Sequence, residues 1–162
     1  MPQIVSLVYQ PSRSEYTPPY HYNRVPVESL MLVAGKGIEG DFKAGRNAKR
    51  HLNILSAETV EALRTDGFKT APGELGEQIV IGGLDVDALV KGDVLRLGSE
   101  ALIEVTMVRT PCEWFERIQD KPMAEAEGRL GVMAKVVKGG CIRVGDMAAR
   151  LSAEEKKLSL PE

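Results

Sequence analysis

The chain has few of the residues that announce a familiar chemistry. Its 162 residues include two cysteines and two histidines. Cys112, Cys141, His21 and His51 offer none of the close-spaced pairs that a four-ligand zinc site uses. No Gly-Lys-Ser/Thr ending completes a phosphate-binding P-loop, and no local signature of a Ser-His-Asp or Cys-His hydrolase is present. No apolar run approaches the roughly 20 residues needed to cross a bilayer. Residues 1–10 lack the basic start and apolar stretch of a secretory signal, so a cytoplasmic protein with reduced cysteines is expected. Positive charge is not in excess either: the net charge of −2 argues against general nucleic-acid affinity, and no membrane association is expected. It leaves room for a local basic site that binds a small anion.

What the chain does have is punctuation. Sixteen glycines and nine prolines separate short runs rich in Val, Ile and Leu. That pattern predicts a mainly-β single domain over residues 1–162. Strands are expected at Ile4–Tyr9, Val25–Val33, Leu52–Leu55, Gln78–Ile81, Val94–Leu97, Ala101–Val108 and Gly131–Val137. A hairpin turn at Gly139-Gly140 is expected to return the chain as Cys141–Val144, with a last strand ending at Leu151. In Ala101–Val108 the alternate residues Ala101, Ile103, Val105 and Met107 form a wholly apolar face that should point inward. Ser56 is a fitting cap for a helix to about Asp66, with Gly67 just past its end and Val60 and Leu63 facing the core. Ser152–Glu162 reads as a charged, loosely helical tail. Many short strands with few helices predict a closed or nearly closed β-barrel with short peripheral helices.

Four features carry candidate chemistry. In Arg109-Thr110-Pro111-Cys112-Glu113, Thr110 suits an N-cap, Glu113 a capping box and Pro111 the first helical position. Cys112 then falls in the first helical turn, where orphan N–H groups and the helix dipole favour thiolate. The competing reading is a buried, inert cysteine. Lys43, Arg46, Lys49 and Arg50 fall within eight positions of a glycine-rich stretch. They either bind phosphate or carboxylate oxygens or form a solvated loop. Pro72-Gly73-Glu74-Leu75-Gly76-Glu77-Gln78 either positions a ligand or makes a capped turn. All four tyrosines (Tyr9, Tyr16, Tyr20, Tyr22) lie in the first 22 residues, in a segment suited to packing, to a subunit contact or to stacking on a heterocycle. His51 reads as structural or as a donor to an anion.

Taken in order, these segments resemble a MOSC domain, named for the C-terminal domain of molybdenum-cofactor sulfurases. The resemblance runs from about Ser29 to Leu151. It comprises Gly37-Ile38-Glu39-Gly40-Asp41, the basic stretch with Arg50, the Pro-Gly-x-x-Gly-Glu segment, Gly92-Asp93, Arg109-Thr110-Pro111-Cys112, Gly131 through Gly140, and Gly145-Asp146. Gln78 stands where the family usually has Asn, and Phe42-Lys43-Ala44-Gly45 replaces the commoner Arg-x-His-Gly. The resemblance implies a β-barrel that binds molybdenum cofactor (molybdopterin), with Cys112 as molybdenum ligand or sulfur carrier. Lys43, Arg46, Lys49, Arg50 and Arg109 become candidates for the cofactor phosphate, and Glu77 and Gln78 for the pterin edge. Cys141 is expected to pack. The implied roles are reduction of N-hydroxylated compounds, or carriage of sulfur or cofactor with a sulfur-donor or molybdoenzyme partner. Carriage is expected to depend on a partner for the sulfur, because residues 1–162 read as one domain without pyridoxal-phosphate desulfurase chemistry. The alternatives are an anion-binding module without catalysis, or an interaction subunit, in each of which Cys112 merely packs.

Overall fold

A computed structural model describes residues 1–13 and 18–160. Tyr16, within the tyrosine-rich segment, and the last two residues of the tail lie outside them. The strands are β1 (Gln3–Tyr9), β2 (Val25–Val27), β3 (Ser29–Val33), β4 (Gly37–Ile38), β5 (Leu52–Ser56), β6 (Ile79–Gly82), β7 (Val94–Leu97), β8 (Ala101–Val108), β9 (Val132–Lys138), β10 (Gly140–Arg143) and β11 (Ala148–Arg150). The helices are α1 (Ala57–Thr65), α2 (Glu113–Gln119) and α3 (Ala153–Ser159). None of them is long and apolar enough to cross a membrane.

Eight strands form one sheet in the order β11-β7-β8-β9-β5-β6-β1-β2, and β10-β3-β4 form a second. All pairs are antiparallel except β5–β6, which needs a crossover and gets it through α1. Register shifts between Leu102 and Ile103 and between Val105 and Met107 bend the central β8–β9 pair. The sheet therefore curls, but it does not close. The Gln3–Met147 bridge and three backbone bonds, Ile4 N to Asp146 O (2.8 Å), Gly145 N to Ile4 O (2.8 Å) and Ala148 N to Pro2 O (3.0 Å), join the β11 end to the start of β1, one strand short of the far edge and without a continuous ladder. The closed or nearly closed barrel expected from the strand count is thus corrected to an open, curled half-barrel. The reasons are local. β2 and β11 are three residues each, and Pro26 in β2 has no N–H to extend the sheet. The expected hairpin is also redirected: Gly140–Arg143 pairs with β3, not with β9.

The inner face of the curl is the main core. Ala101, Ile103 and Val105 point into it as the alternation predicts, and Met107 is half-buried at its end. Ile54, Ile79, Ile81 and Val132 join them from neighbouring strands. On the convex side a second cluster packs Leu55, Leu63, Phe68, Leu75, Val80, Phe115 and Leu130. Ser56 caps α1 by accepting from Thr59 N (3.2 Å), and this seats Leu63. The second cluster matters for the site, because it fixes α2 (through Phe115) and the Gly73–Gln78 loop (through Leu75) against the same sheet.

Candidate functional site

One cavity of about 860 Å³ opens where the N-terminal segment, the basic loop, β5, the Gly73–Gln78 loop and the start of α2 converge. Six of the predicted site residues line it: Lys43, Arg46, Arg50, Gln78, Arg109 and Cys112. Lys49 and Glu77 do not. Lys49 is exposed, and its carbonyl accepts from the Thr106 hydroxyl. Glu77 is buried and accepts from Gly73 N (2.9 Å) and Leu75 N (3.2 Å), so it ties its own loop together. Burial pushes the Glu77 carboxyl above its ordinary pKa, and those backbone bonds oppose the rise.

Arg109 and Asn53 are the frame of the cavity. Arg109, buried, donates through Nη1 to Asn53 Oδ1 (2.5 Å) and Leu75 O (2.6 Å), and through Nη2 to the Tyr22 hydroxyl (3.2 Å). Asn53 Nδ2 donates to Leu130 O (3.0 Å) and Val132 O (3.1 Å). Its backbone N–H donates to Gln78 Oε1 (2.6 Å), so the Gln that replaces the family's Asn is held from behind. The glycines of this loop admit the cations. At Gly76, with φ +81°, a Cβ would lie 2.7 Å from Arg109 Nη2 and 2.9 Å from Tyr22 Cζ. At Gly73, with φ +87°, it would lie 2.6 Å from Arg24 Cβ. Both positions need a residue without a side chain, for conformation and for space.

Six cations line the cavity (Arg13, Arg24, Lys43, Arg46, Arg50 and Arg109), and among the described residues no carboxylate does. Asp41 is nearby but is spent on backbone, accepting from Gln10 N (2.6 Å) and Lys43 N (3.0 Å). Arg24 lies 5.3 Å from the Tyr22 ring centroid, and its Nε and Nη1 are sealed from solvent without a hydrogen-bond partner. Burial lowers the Arg24 pKa; Asp41 offsets part of this and Arg109 adds to it. Lys43 is lowered by burial first and by Arg24 next. These are cations held close together at a cost, an arrangement that an incoming anion relieves.

Cys112 is not in the first turn of α2. Glu116 N donates to Cys112 O (3.0 Å), which makes Cys112 the N-cap, with extended backbone (φ −131°, ψ 173°) and no side-chain capping bond. Thr110 and Pro111 lie before the helix, and the expected capping box does not form. The start moves because β8's pairing runs on past its end: Arg109 N donates to Gly131 O (3.0 Å), which keeps the chain extended. The outcome is an exposed cysteine lining the cationic cavity, so the expectation of a buried Cys112 does not hold. Trp114, two residues on, lines the same cavity and meets Tyr20 edge-on at 5.4 Å between centroids. Cys141, expected to pack, is exposed on β10. No group of three or more His, Cys, Asp or Glu among the described residues is arranged to hold a metal ion.

The family profile of the MOSC domain matches residues 39–149, more than half of the sequence. The chain belongs to the MOSC domain family. Its fold is similar to that of the YuaD protein from Bacillus subtilis, at 22% identity and a TM-score of 0.76, over 91% of this chain and 94% of that one. YiiM from Geobacillus stearothermophilus (21%, 0.70, 94% of this chain, 76% of that) and YiiM from Escherichia coli (24%, 0.68, 93%, 70%) share it as well. No curated protein matches the sequence.

Within this MOSC protein the matched segment begins after Gln10, Arg13, Tyr22 and Arg24, so four of the residues lining the cavity come from outside it. Sequence reasoning named Tyr22 only within a segment open to packing, a subunit contact or stacking on a heterocycle, and it missed Gln10, Arg13 and Arg24, which belong to no local motif. Asn53 was missed too, although a lone amide inside the apolar run Leu52-Asn53-Ile54-Leu55 is a legible signal that a buried polar contact is required.

Proposed function

We propose that this MOSC protein binds molybdenum cofactor in the cationic cavity, with Cys112 providing sulfur at the metal. The observation that carries this reading is the union, in one cavity, of six cations and an exposed thiol, with no carboxylate among the described residues that line it. The donor set suits the cofactor. Arg24, Lys43, Arg50 and Arg109 would hold its phosphate end as charge-assisted donors. Gln78 would meet the pterin edge through its amide Nε2, while Asn53, spent on Arg109, Leu130 O and Val132 O, holds the frame behind it. A soft thiolate from Cys112 suits molybdenum. Glu77 acts indirectly, by keeping the Gly73–Gln78 loop in the shape that admits Arg24 and Arg109.

When bound, the cofactor would supply two-electron oxygen-atom removal from an N-hydroxylated compound, giving the reduced nitrogen compound and water, with both electrons and both protons coming from outside. The chain's own contribution is to orient: the cations fix one end of the cofactor, and Cys112 sits at the open rim where a substrate enters. The exposure of Cys112 supports a second reading, sulfur carriage, because a donor protein can reach the thiol directly. Protein made in a cofactor-competent host separates the two. As a reductase, it converts an N-hydroxylated amidine to the amidine with a reduced dye as electron donor, and Cys112→Ser abolishes this. As a carrier, it shows no reduction, but Cys112 labels as a persulfide. Loss of neither activity nor label in Cys112→Ser refutes both.

A further inference from the structure

A second cavity, of about 430 Å³, lies on the other side of the basic loop. Its floor is the outer face of β8 and β9, where Glu104 and Lys135 are register partners and their charged groups stand 3.9 Å apart. Both side chains are partly open to solvent. His51, Val137 and Leu160 also line it.

His51 is the buried polar residue of this groove. Its Nδ1 accepts from Val136 N (2.9 Å), so the ring proton sits on Nε2. That Nε2 is buried and has no hydrogen-bond partner. A buried donor left unpaired costs free energy that a ligand acceptor recovers. Burial first, and Lys135 second, lower the His51 pKa and keep the ring neutral. The groove is therefore lined by Lys135, Glu104 and apolar side chains, with His51, whose Nε2–H is buried and unpaired, in its wall.

We propose that this groove is a binding site for a small zwitterion, an α-amino acid with an apolar side chain. Its carboxylate takes the Lys135 ammonium and draws the His51 N–H out of its unpaired state. Its ammonium faces Glu104, and its side chain lies on Val137 and Leu160. No residue of this site contributes to the reading of Cys112 and the cationic cavity, so either can fail alone. The loop from Arg46 to His51 forms the wall between them, with Arg46, Asn47 and Arg50 on one cavity and Ala48 and His51 on the other.

The test is a titration of the full chain with L-leucine, followed by amide and imidazole nitrogen NMR. The proposal expects saturating shifts at Lys135, Val136 and Val137 and at His51 Nε2–H by about 10 mM, where a millimolar complex is largely formed. Glu104→Gln and Lys135→Met, both at partly exposed positions, each weaken binding by about tenfold or more, as loss of a charge-assisted contact requires. 3-Methylbutylamine, which lacks the carboxylate, leaves the His51 signal in place. The absence of saturating shifts overturns the proposal, as does leucine binding unaffected by both variants. 4-Methylpentanoate binding as tightly as leucine overturns the role of Glu104 and with it the zwitterion.

Discussion

Arg24 and Arg109 line the same cavity, yet removing them should have very unequal effects on stability. Arg24 Nε and Nη1 have no hydrogen bond to lose. Arg24→Met gives up the contact with the Tyr22 ring, worth about 0.5–1 kcal/mol. It also relieves a desolvated cation crowded by Arg109, an offset of about 1 kcal/mol or more. Methionine keeps an unbranched stem beside Gly73. Stability should stay within about 1 kcal/mol of the parent, a shift in Tm of at most about 2–4 °C for a chain this size. Arg109→Met instead leaves Asn53 Oδ1 and Leu75 O buried without that donor. At about 1–3 kcal/mol for each orphaned acceptor, the loss is about 2–6 kcal/mol. Both variants should bind pyrophosphate at least about tenfold more weakly, since a hydrogen bond to a charged group contributes about 1.5–3 kcal/mol. Chemical denaturation and calorimetric titration with pyrophosphate measure the two quantities on the same samples. An Arg24→Met protein destabilised by more than about 2 kcal/mol, or one that binds pyrophosphate as the parent does, would refute the reasoning.

Gly76→Ala places a Cβ against Arg109 and Tyr22 at a positive φ; it should cost at least about 1–2 kcal/mol and weaken pyrophosphate binding in the same variant, as read by denaturation and titration. Cys112→Ser should leave the unfolding free energy within about 0.5 kcal/mol of the parent, because the thiol is exposed and makes no capping bond. The His51 pKa is depressed in the fold, so between its folded and unfolded values the unfolded chain binds the extra proton. Its contribution is therefore fully present above the unfolded value of about 6.5 and is lost as pH falls below it, with a slope of at most about 1.4 kcal/mol per pH unit. Denaturation midpoints measured from pH 8 to 5 should show that slope in the parent and not in His51→Gln.

Strands whose side chains alternate were legible in the sequence. Val94–Leu97 and Ala101–Val108 stand where they were expected, because a fully apolar face leaves one register with that face buried. The pairing of strands was less legible. Val25–Val33 reads as one extended run but bends at Glu28, so that β2 joins the large sheet and β3 the small one. Cys141–Val144 follows a Gly-Gly turn but is taken by β3, and nothing local in the sequence distinguishes that partner from β9. The start of α2 was misplaced because Thr110 and Pro111 have good capping chemistry, but the bond from Arg109 to Gly131 keeps them extended. In the site, the cations clustered in sequence were visible as a cluster. Arg24 was not, because it meets Arg109 only through folding, across 85 positions of chain (109 − 24).

The central claim is that the thiol and the cations serve one bound cofactor. Molybdenum and pterin content, measured together on protein purified from a cofactor-competent host, tests it most directly. The account predicts the two in equal amounts in the parent, loss of molybdenum retention in Cys112→Ser, and loss of both in Arg109→Met refolded or purified under conditions where it is folded. A parent protein that carries neither, while a molybdoenzyme from the same cells is fully loaded, would contradict it.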